Sequence, residues 1–277
     1  GMTYTLDFTD FRGKRLEDDL RLRDFTVNAL ALELRHACAD TDISKHIIDP
    51  CGGLKDLKDG ILRMASERSF DDDPLRVLRA FSLSAIFKLN IDKETLRSAK
   101  AKKDKLKGVS PERVRDELFK ILDTPHAGEY LEKMDSLRVL SVVLPEIEVM
   151  RGVSQGPYHH LDVWKHTIET VHQLDELMES LKRKKEVQDY LNENLCAERK
   201  RRALLKLGAL LHDIGKPATK RREGGKTKFH GHERAGMLIA KEISARLKLS
   251  NDEFGALKKI VFWHLRPGYL ADNEKVT

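Results

Sequence analysis

The sequence predicts a mainly α-helical chain that begins with a short α+β segment. Apolar residues alternate at period two in residues 4–8 and again in residues 30–34, which is typical of strands. The adjacent Ile47 and Ile48 predict a third short strand. From about Asp56 onward the apolar residues follow helical spacing, so we expect more than half of the chain to be helical.

Turn and cap residues divide the helical region further. Pro74 follows Asp73 as a proline follows a helix cap, and Pro111 follows Ser110 in the same way at a helix that runs to about Leu122. The sequence predicts three domains: residues 1–60 with the strands, a helical neck over residues 61–153, and a helical domain over residues 154–277 that follows a linker at 154–157. The helical patterns of the last domain lie near residues 160–181, 200–213, 231–248 and 252–264.

The composition is that of a charge-rich globular chain. Hydrophobic residues make up 40% and charged residues 35% of the 277 positions. No apolar stretch approaches the roughly 18 residues of a membrane span, which excludes a membrane partner. The three cysteines are an odd number without paired spacing, which argues against a disulfide framework and favours a cytoplasmic location; they are Cys38, Cys51 and Cys196.

The charge balance is compatible with a phosphate-rich partner. Lys and Arg total 51 against 45 Asp and Glu, which gives a net charge of +6. Aromatic residues are only 6%, so a nucleic acid would be bound through its backbone and not by base stacking. Solvated helix faces and loops are the ordinary explanation of such basic clusters, which occur at residues 100–107, 182–185, 199–202 and 220–228.

Asp73 and two arginines form a candidate nucleotide-reading group. Arg76 and Arg79 follow Asp73 at intervals of three, on neighbouring turns of one helix. An ordinary cap with salt bridges would look the same. The functional hypothesis is that a carboxylate beside a guanidinium reads cytosine and adenine, because both bases present an amine beside an unprotonated ring nitrogen. Guanine and uracil present the reverse order and would be rejected.

Three segments resemble motifs of the class II tRNA nucleotidyltransferases, which include CCA-adding enzymes and bacterial poly(A) polymerases. The family's Arg-Arg-Asp-Phe-Thr-x-Asn-Ala motif matches residues 22–29, with Leu22 in place of the first arginine. Its Glu-Asp-x-x-Arg motif matches residues 72–76, with Asp72 in place of glutamate. A helix-stabilising Arg-x-x-x-Glu-Leu element matches residues 113–118. The match implies nucleotide-binding roles for Arg23, Asp24, Asn28, Asp73, Arg76 and Arg79.

The resemblance also has departures. Ser82 stands where family members often carry another nucleotide-contacting arginine. In this family a Gly-Gly-x-x-Arg-Asp loop followed by an Asp-x-Asp strand holds two magnesium ions, and that combination is not found here. Asp7, five residues before Arg12, is the candidate for a third catalytic carboxylate. One carboxylate does not bridge two metals, so we expect this chain, as a fragment or a shortened relative, to be inactive in nucleotidyl transfer.

Histidines in the last domain resemble the HD phosphohydrolase superfamily, whose His…His-Asp…Asp residues bind a divalent metal. His166, His212 and Asp213 match its first three positions, and His232 and His264 match histidines that some members use for a second metal. Imidazole and carboxylate ligands suit Mg, Mn, Ni or Co. The final aspartate normally lies on a later helix, whereas the candidate Asp272 falls in an expected loop, so we expect weakened metal binding.

The resemblance as a whole implies a nucleotidyltransferase head remnant, a helical neck and an all-α HD domain. It implies a tRNA 3′-end nucleotidyltransferase, CCA-adding or A-adding, or the C-terminal part of one. Its partners would be tRNA, ATP and CTP, and its completed head would use Mg²⁺. Two alternatives stay open: a metal-dependent HD phosphohydrolase acting on phosphoesters or cyclic phosphates, and a tRNA-binding module without chemistry.

Overall fold

The computed structural model describes residues 9–37, 42–156, 160–266 and 268 of the chain. It is 63% helical, which confirms the predicted mainly α fold. The predicted strand at residues 4–8 and Cys38 lie outside the described residues. No helix in the described ranges is long and apolar enough to cross a membrane.

The N-terminal region combines short helices with one small sheet. Residues Ala31–Leu32 and Ile47–Ile48 pair antiparallel, so a strand is present at both predicted places, but Leu34 begins a helix instead of extending the first strand. Gly53 begins a helix whose start lies against the backbone carbonyl of Thr26, where a Cβ would be only 2.0 Å away. The elements are α1 (Leu16–Arg21), β1 (Ala31–Leu32), α2 (Leu34–Ala37), β2 (Ile47–Ile48) and α3 (Gly53–Lys58).

The neck is a compact set of helices around one two-stranded parallel sheet. Pro111 is the first residue of its helix, as predicted. A backbone N–H at this position would have no acceptor within the helix, so the missing N–H of proline costs nothing there. The carboxylate of Asp73 accepts a hydrogen bond from the backbone N–H of Leu75, just before a helix starts at Arg76. The elements are β3 (Ile61–Leu62), α4 (Ser69–Asp72), α5 (Arg76–Phe87), β4 (Asn90–Ile91), α6 (Lys93–Lys102), α7 (Pro111–Leu122), α8 (Ala127–Ser136) and α9 (Val139–Val143).

The C-terminal region is built of four helices of 11 to 18 residues, two shorter helices and two small hairpins. The hairpins differ from the predicted all-α domain. The second one turns at Gly224 and Gly225, whose φ values of 56° and 75° suit the tight turn between two short strands. The elements are α10 (Val163–Ser180), α11 (Lys185–Asn192), β5 (Asn194–Cys196), β6 (Arg199–Lys200), α12 (Arg201–Leu211), α13 (Lys216–Thr219), β7 (Arg221–Glu223), β8 (Lys226–Lys228), α14 (His232–Arg246) and α15 (Asn251–Trp263).

Neck and C-terminal region share one hydrophobic core. Its buried side chains form a single cluster that extends from Phe25 to Val261. Ion pairs cross the same boundary: Arg246 on α14 binds Glu146 through both carboxylate oxygens, the shorter distance being 2.7 Å. The shared core holds the two regions in a fixed relation.

Candidate functional site

A cleft of about 800 Å³ opens where residues 12–28 meet α5 and α7. All six predicted nucleotide-binding residues line it: Arg23, Asp24, Asn28, Asp73, Arg76 and Arg79. The other lining residues are Arg12, Leu75, Leu83, Phe87, Arg113, Asp116, Glu117 and Lys120. Six cationic side chains therefore face four carboxylates, and this excess of positive charge suits a phosphate-bearing ligand.

Asp24 is the centre of the hydrogen-bond network in this cleft. One oxygen of its buried carboxylate accepts from the backbone N–H of Phe25 at 2.9 Å and from the Asn28 amide at 3.1 Å. The other oxygen accepts from Nε of Arg79 at 2.9 Å and lies 2.8 Å from its Nη2. The network holds three predicted residues in one arrangement, although Asp24 and Arg79 are 55 positions apart.

Arg76 links the start of α5 to the N-terminal region by hydrogen bonds. Its guanidinium is buried and donates to the backbone carbonyls of Leu22, Arg23 and Ser69 at 2.9 to 3.3 Å. Burial lowers the pKa of Arg76 below its ordinary value, against the opposing charge of Asp24 nearby. Arg76 thus lines the cleft and also supports its wall.

The guanidinium that pairs with Asp73 comes from α7. Nη2 of Arg113 lies 2.7 Å from one oxygen of the Asp73 carboxylate, and half of the Arg113 side chain is exposed. The resemblance assigned Arg113 only a helix-stabilising role, so its contact with Asp73 was missed. No local spacing signals a contact between residues 40 positions apart, which arises from packing of α5 on α7. The base-reading hypothesis joined Asp73 to Arg76, whereas the ion pair that Asp73 forms at the rim of the cleft is with Arg113.

Glu117 links α7 to α5 in the wall of the cleft. Its buried carboxylate accepts hydrogen bonds from the Ser82 hydroxyl and from Nζ of Lys120, and it lies 3.6 Å from Nη1 of Arg79. Ser82, at the position where family members often carry an arginine, is itself buried in this helix contact. Asp7, the candidate catalytic carboxylate, lies outside the described residues.

Four histidines converge on Asp213 in the C-terminal region. Nε2 of His212 lies 3.1 Å and Nε2 of His166 lies 3.6 Å from one oxygen of the Asp213 carboxylate. Nε2 of His232 and of His264 lie 3.5 Å and 3.6 Å from the other oxygen. All five predicted metal ligands therefore lie together around one carboxylate.

Four separate helices position these ligands. His166 lies on α10, His212 and Asp213 directly follow α12, His232 begins α14, and His264 directly follows α15. The close approach depends on a glycine, because a Cβ on Gly215 would lie 2.1 Å from the carbonyl oxygen of His232. Any larger residue at this position would push α14, and with it His232, away from Asp213.

The imidazole rings present their Nε2 atoms to the cluster. Nδ1 of three rings lies within 2.8 Å of a carbonyl oxygen three residues earlier, and because a carbonyl only accepts, Nδ1 carries the proton. The Nε2 lone pairs then point at Asp213, the arrangement typical of metal-binding histidines. The carbonyl groups belong to Ala209 for His212, Phe229 for His232 and Val261 for His264.

The cluster fits a divalent metal ion. Nε2 of His232 and Nε2 of His264 lie 3.2 Å apart, and Oδ1 of Asp213 is buried without a hydrogen-bond donor within the described residues. Burial by itself raises the pKa of Asp213, and the ammonium of Lys216, 2.6 Å from the carboxylate, opposes that effect. A bound cation would satisfy these facing lone pairs. Two three-ligand groups share Asp213: His166, His212 and Asp213, and Asp213, His232 and His264.

Comparison with protein families finds three domains in order along the chain. The "Poly A polymerase head domain" matches residues 4–63, the "Probable RNA and SrmB- binding site of polymerase A" matches residues 88–150, and the "HD domain" matches residues 163–275. The chain belongs to the tRNA nucleotidyltransferase and poly(A) polymerase family.

Curated relatives are tRNA-processing proteins of about twice this length. The chain is 36% identical over 257 residues to the A-adding tRNA nucleotidyltransferase of Deinococcus radiodurans, an alignment covering 90% of this chain and 52% of the relative. It is 33% identical over 244 residues to the multifunctional CCA protein of Vibrio parahaemolyticus, covering 86% and 52%. The chain thus spans about half the length of these members of the family.

Solved structures share the fold. A CCA-adding enzyme in its apo form I is 25% identical with a TM-score of 0.55, covering 95% of this chain and 50% of that one. A structure of a tRNA-processing enzyme complex has a TM-score of 0.62 at 20% identity, covering 95% and 58%. The latter likeness supports the fold alone.

Asp213 and the four histidines around it form what we call the HD cluster. Two further residues lie beside it and were not predicted from the sequence as site residues. Nζ of Lys216 lies 2.6 Å from Oδ2 of Asp213 and donates to the side-chain oxygen of Gln155 at 2.7 Å. Lys216 was detectable, because it follows Asp213 by three residues and so returns to the same side after one helical turn. Gln155 lies in the predicted linker, where sequence periodicity carries no signal.

Proposed function

We propose that this chain is the neck and HD part, with a piece of the head, of an enzyme that adds cytidine or adenosine to tRNA 3′ ends. The observation that carries the proposal is the gathering of all six motif residues around one cleft. The domain division at residues 1–60, 61–153 and 154–277 is part of the proposal, supported by the family matches at 4–63, 88–150 and 163–275.

The cleft would select the incoming nucleotide by its base edge. Asp73 would accept a hydrogen bond from the exocyclic amine of cytosine or adenine, and Arg76 would donate to the neighbouring ring nitrogen by exchanging one of its carbonyl contacts. Arg113 would hold the Asp73 carboxylate in place. The remaining cations would lie near the triphosphate. ATP and CTP are thus the proposed substrates, while Mg²⁺ would be held by head carboxylates, for which Asp7 is the candidate here.

Nucleotide titration tests this selection without requiring catalysis. Calorimetry with CTP, ATP, GTP and UTP should show that the first two bind about tenfold more tightly than the last two, the ratio expected from a correctly paired base edge. Asp73→Asn replaces one acceptor oxygen by a donor and should abolish that preference. Asp59→Asn, at an exposed position after α3, is the matched control and should retain it. Equal binding of all four nucleotides by the unaltered chain would refute the proposed selection.

A second activity is favoured by the buried Oδ1 of Asp213 and the inward-facing imidazoles. We propose that the HD cluster is a metal-dependent phosphohydrolase site for phosphoesters or cyclic phosphates. A divalent ion bound there would supply a Lewis acid and lower the pKa of water. His166, His212, Asp213, His232 and His264 would hold it. The ammonium of Lys216, close to Asp213, would attract a substrate phosphate oxygen.

Metal content tests the HD site directly. After loading with Mn²⁺ and removal of free ions, His232→Ala should show affinity reduced by about tenfold or more, because it lacks one ligand. His230→Ala removes an exposed imidazole two positions away and should bind as the unaltered chain does. Retention of the full metal content by the first variant, or an equal loss by both, would contradict the assignment.

A further inference from the structure

The hairpin formed by β7 and β8 is strongly basic. This basic hairpin, residues 220–228, carries five cations and one carboxylate, a net charge of +4 within a chain of net charge +6. Its β7 residues are all exposed. Its charged residues are Lys220, Arg221, Arg222, Glu223, Lys226 and Lys228.

Most of this charge has no carboxylate partner. Over the described ranges, the ion pair recorded for these cations is between Lys228 and Glu223, at 2.9 Å. Arg221 lies directly opposite Lys228 in the ladder, and like charges at opposing positions destabilise a hairpin. A bound polyanion would relieve this repulsion.

Both ends of the basic hairpin join residues of the HD cluster. Lys216, which touches Asp213, begins the helix that leads into β7. At the other end, the carbonyl of Phe229 accepts from Nδ1 of His232, and Nζ of Lys216 lies 5.5 Å from the centre of the Phe229 ring. The basic hairpin is therefore connected to the cluster at both ends, to Asp213 through Lys216 and to His232 through Phe229.

A cavity of about 630 Å³ opens where the basic hairpin meets the linker. It is lined by Ser154 and Gly156 on one side and by Lys220, Arg221 and Arg222 on the other. Between the two linker residues, Gln155 holds Lys216 at the HD cluster. Both linker residues of the cavity are thus chain neighbours of Gln155, which contacts the cluster through Lys216.

We propose that the basic hairpin binds the backbone of a single-stranded RNA whose terminal phosphoester reaches the HD cluster. Five cations spread over the hairpin exceed what one free nucleotide requires, whereas a strand brings a phosphate for each residue. Among the described residues, cations and small side chains line the pocket and no aromatic ring does, which favours contact with the backbone regardless of sequence. The choice of an RNA end as substrate rests on the proposed phosphohydrolase function; the binding of RNA does not.

Binding is measured first, without metal, by fluorescence anisotropy of a labelled single-stranded oligoribonucleotide at several salt concentrations. Arg221→Ala/Arg222→Ala should weaken binding and reduce the slope of log affinity against log salt by about 1.4, the value for two lost contacts with a single strand. The second double variant, Lys220→Ala/Lys226→Ala, should also weaken binding and reduce the salt slope. Agreement between the two variants shows that the loss does not come from local unfolding of one of them.

The matched control is Arg183→Ala/Lys184→Ala, which removes two exposed charges just beyond the end of α10, a helix end that lies roughly 21 Å from His166 along the helix axis. Equal losses in control and hairpin variants, unchanged binding in both hairpin variants, or equally effective competition by an acidic peptide would overturn the proposal.

Hydrolysis supplies an independent readout. With metal present, the hairpin variants should raise KM for an oligoribonucleotide with a terminal cyclic phosphate by about tenfold, and leave KM for the cyclic mononucleotide unchanged. Equal effects on both substrates would contradict the proposed strand path. An unaltered chain that binds RNA but hydrolyses neither substrate would refute the phosphohydrolase function while leaving the RNA-binding surface intact.

Discussion

Asp73 and Arg113 show how the cleft is assembled at the scale of single residues. The carboxylate caps the approach to α5 through the N–H of Leu75, and its second oxygen binds a guanidinium from α7. Hydrogen bonds between charged groups contribute roughly 1.5 to 3 kcal/mol when they are well formed. The Arg113 side chain is half-exposed, so its ion pair contributes less than this range, about 1 kcal/mol or below, because water screens it.

Replacement of Arg113 distinguishes its proposed role, holding the Asp73 carboxylate in place, from recognition of the nucleotide base. Arg113→Ala should lower the affinity for CTP and ATP by about threefold to tenfold, because the Asp73 carboxylate loses its support. The preference over GTP and UTP should survive, because the acceptor itself remains. Titration of the four nucleotides measures both quantities. Loss of the preference in Arg113→Ala would make Arg113, and not Arg76, the donor that reads the base.

The candidate sites were predicted to different depths. The motifs singled out six residues that the structure brings to one cleft and five residues that it gathers at the Asp213 carboxylate. The contacts of Arg113 with Asp73 and of Gln155 with Lys216 span 40 and 61 positions and arise only when the helices pack. Sequence motifs therefore identify candidate site residues, whereas the residues that contact them are known only from the tertiary structure.

At the scale of elements, the start of α15 couples a helix cap to an ion pair. The Ser250 hydroxyl accepts from the N–H of Glu253, and the Glu253 carboxylate accepts from the N–H of Ser250, which is a capping box. The same buried carboxylate binds Arg199 at 2.6 and 2.9 Å. Burial by itself raises the pKa of Glu253, but Arg199 and the Ser250 N–H outweigh it and lower the pKa below 4.5.

Glu253 should contribute to stability in a pH-dependent way. Because its pKa is lower in the folded than in the unfolded state, its contribution is complete above pH 4.5 and is lost as pH falls through the folded pKa. Glu253→Gln should lower the free energy of unfolding by about 2 kcal/mol at neutral pH, and by less in acid. Denaturant melts at neutral and acidic pH measure this, with the exposed Glu242→Gln as control. A deficit independent of pH would contradict the ionic account.

The two hairpins show where helical periodicity fails. The strands β5 to β8 contain only two or three residues each, too few to display a period of two. Gly224 and Gly225 did mark the turn, but a turn between helices would carry the same signal. The four main helices lie where predicted because their apolar faces repeat over several turns.

At the scale of the whole molecule, a buried ion pair joins the neck to the HD domain. Nζ of Lys206 on α12 lies 2.5 Å from Oδ1 of Asp175 on α10 and donates to the carbonyl of Thr124 at the end of α7. The other oxygen of Asp175 accepts from the N–H of Gly128 on α8. Burial lowers the pKa of Lys206 below its ordinary value, against the opposing charge of Asp175.

Breaking this pair should destabilise the chain as one unit. Asp175→Ala leaves a buried ammonium without its carboxylate and should cost about 3 to 5 kcal/mol. The charge-removing double variant Asp175→Asn/Lys206→Met should be much closer to the unaltered chain. Because neck and HD domain share one core, calorimetry should show a single unfolding transition that shifts as a whole. Two transitions, of which only one moves, would contradict the shared core.

The central claim is that one rigid chain carries two separate sites, a nucleotide-selecting cleft at the neck and a metal cluster in the HD domain. Parallel measurement of nucleotide binding and manganese content in Asp73→Asn and His232→Ala tests it most directly. We predict that Asp73→Asn loses the preference for CTP and ATP with its metal content unchanged, and that His232→Ala loses metal while its nucleotide preference is unchanged. If either substitution impairs both readouts in a folded protein, the sites are not separate and the account is wrong.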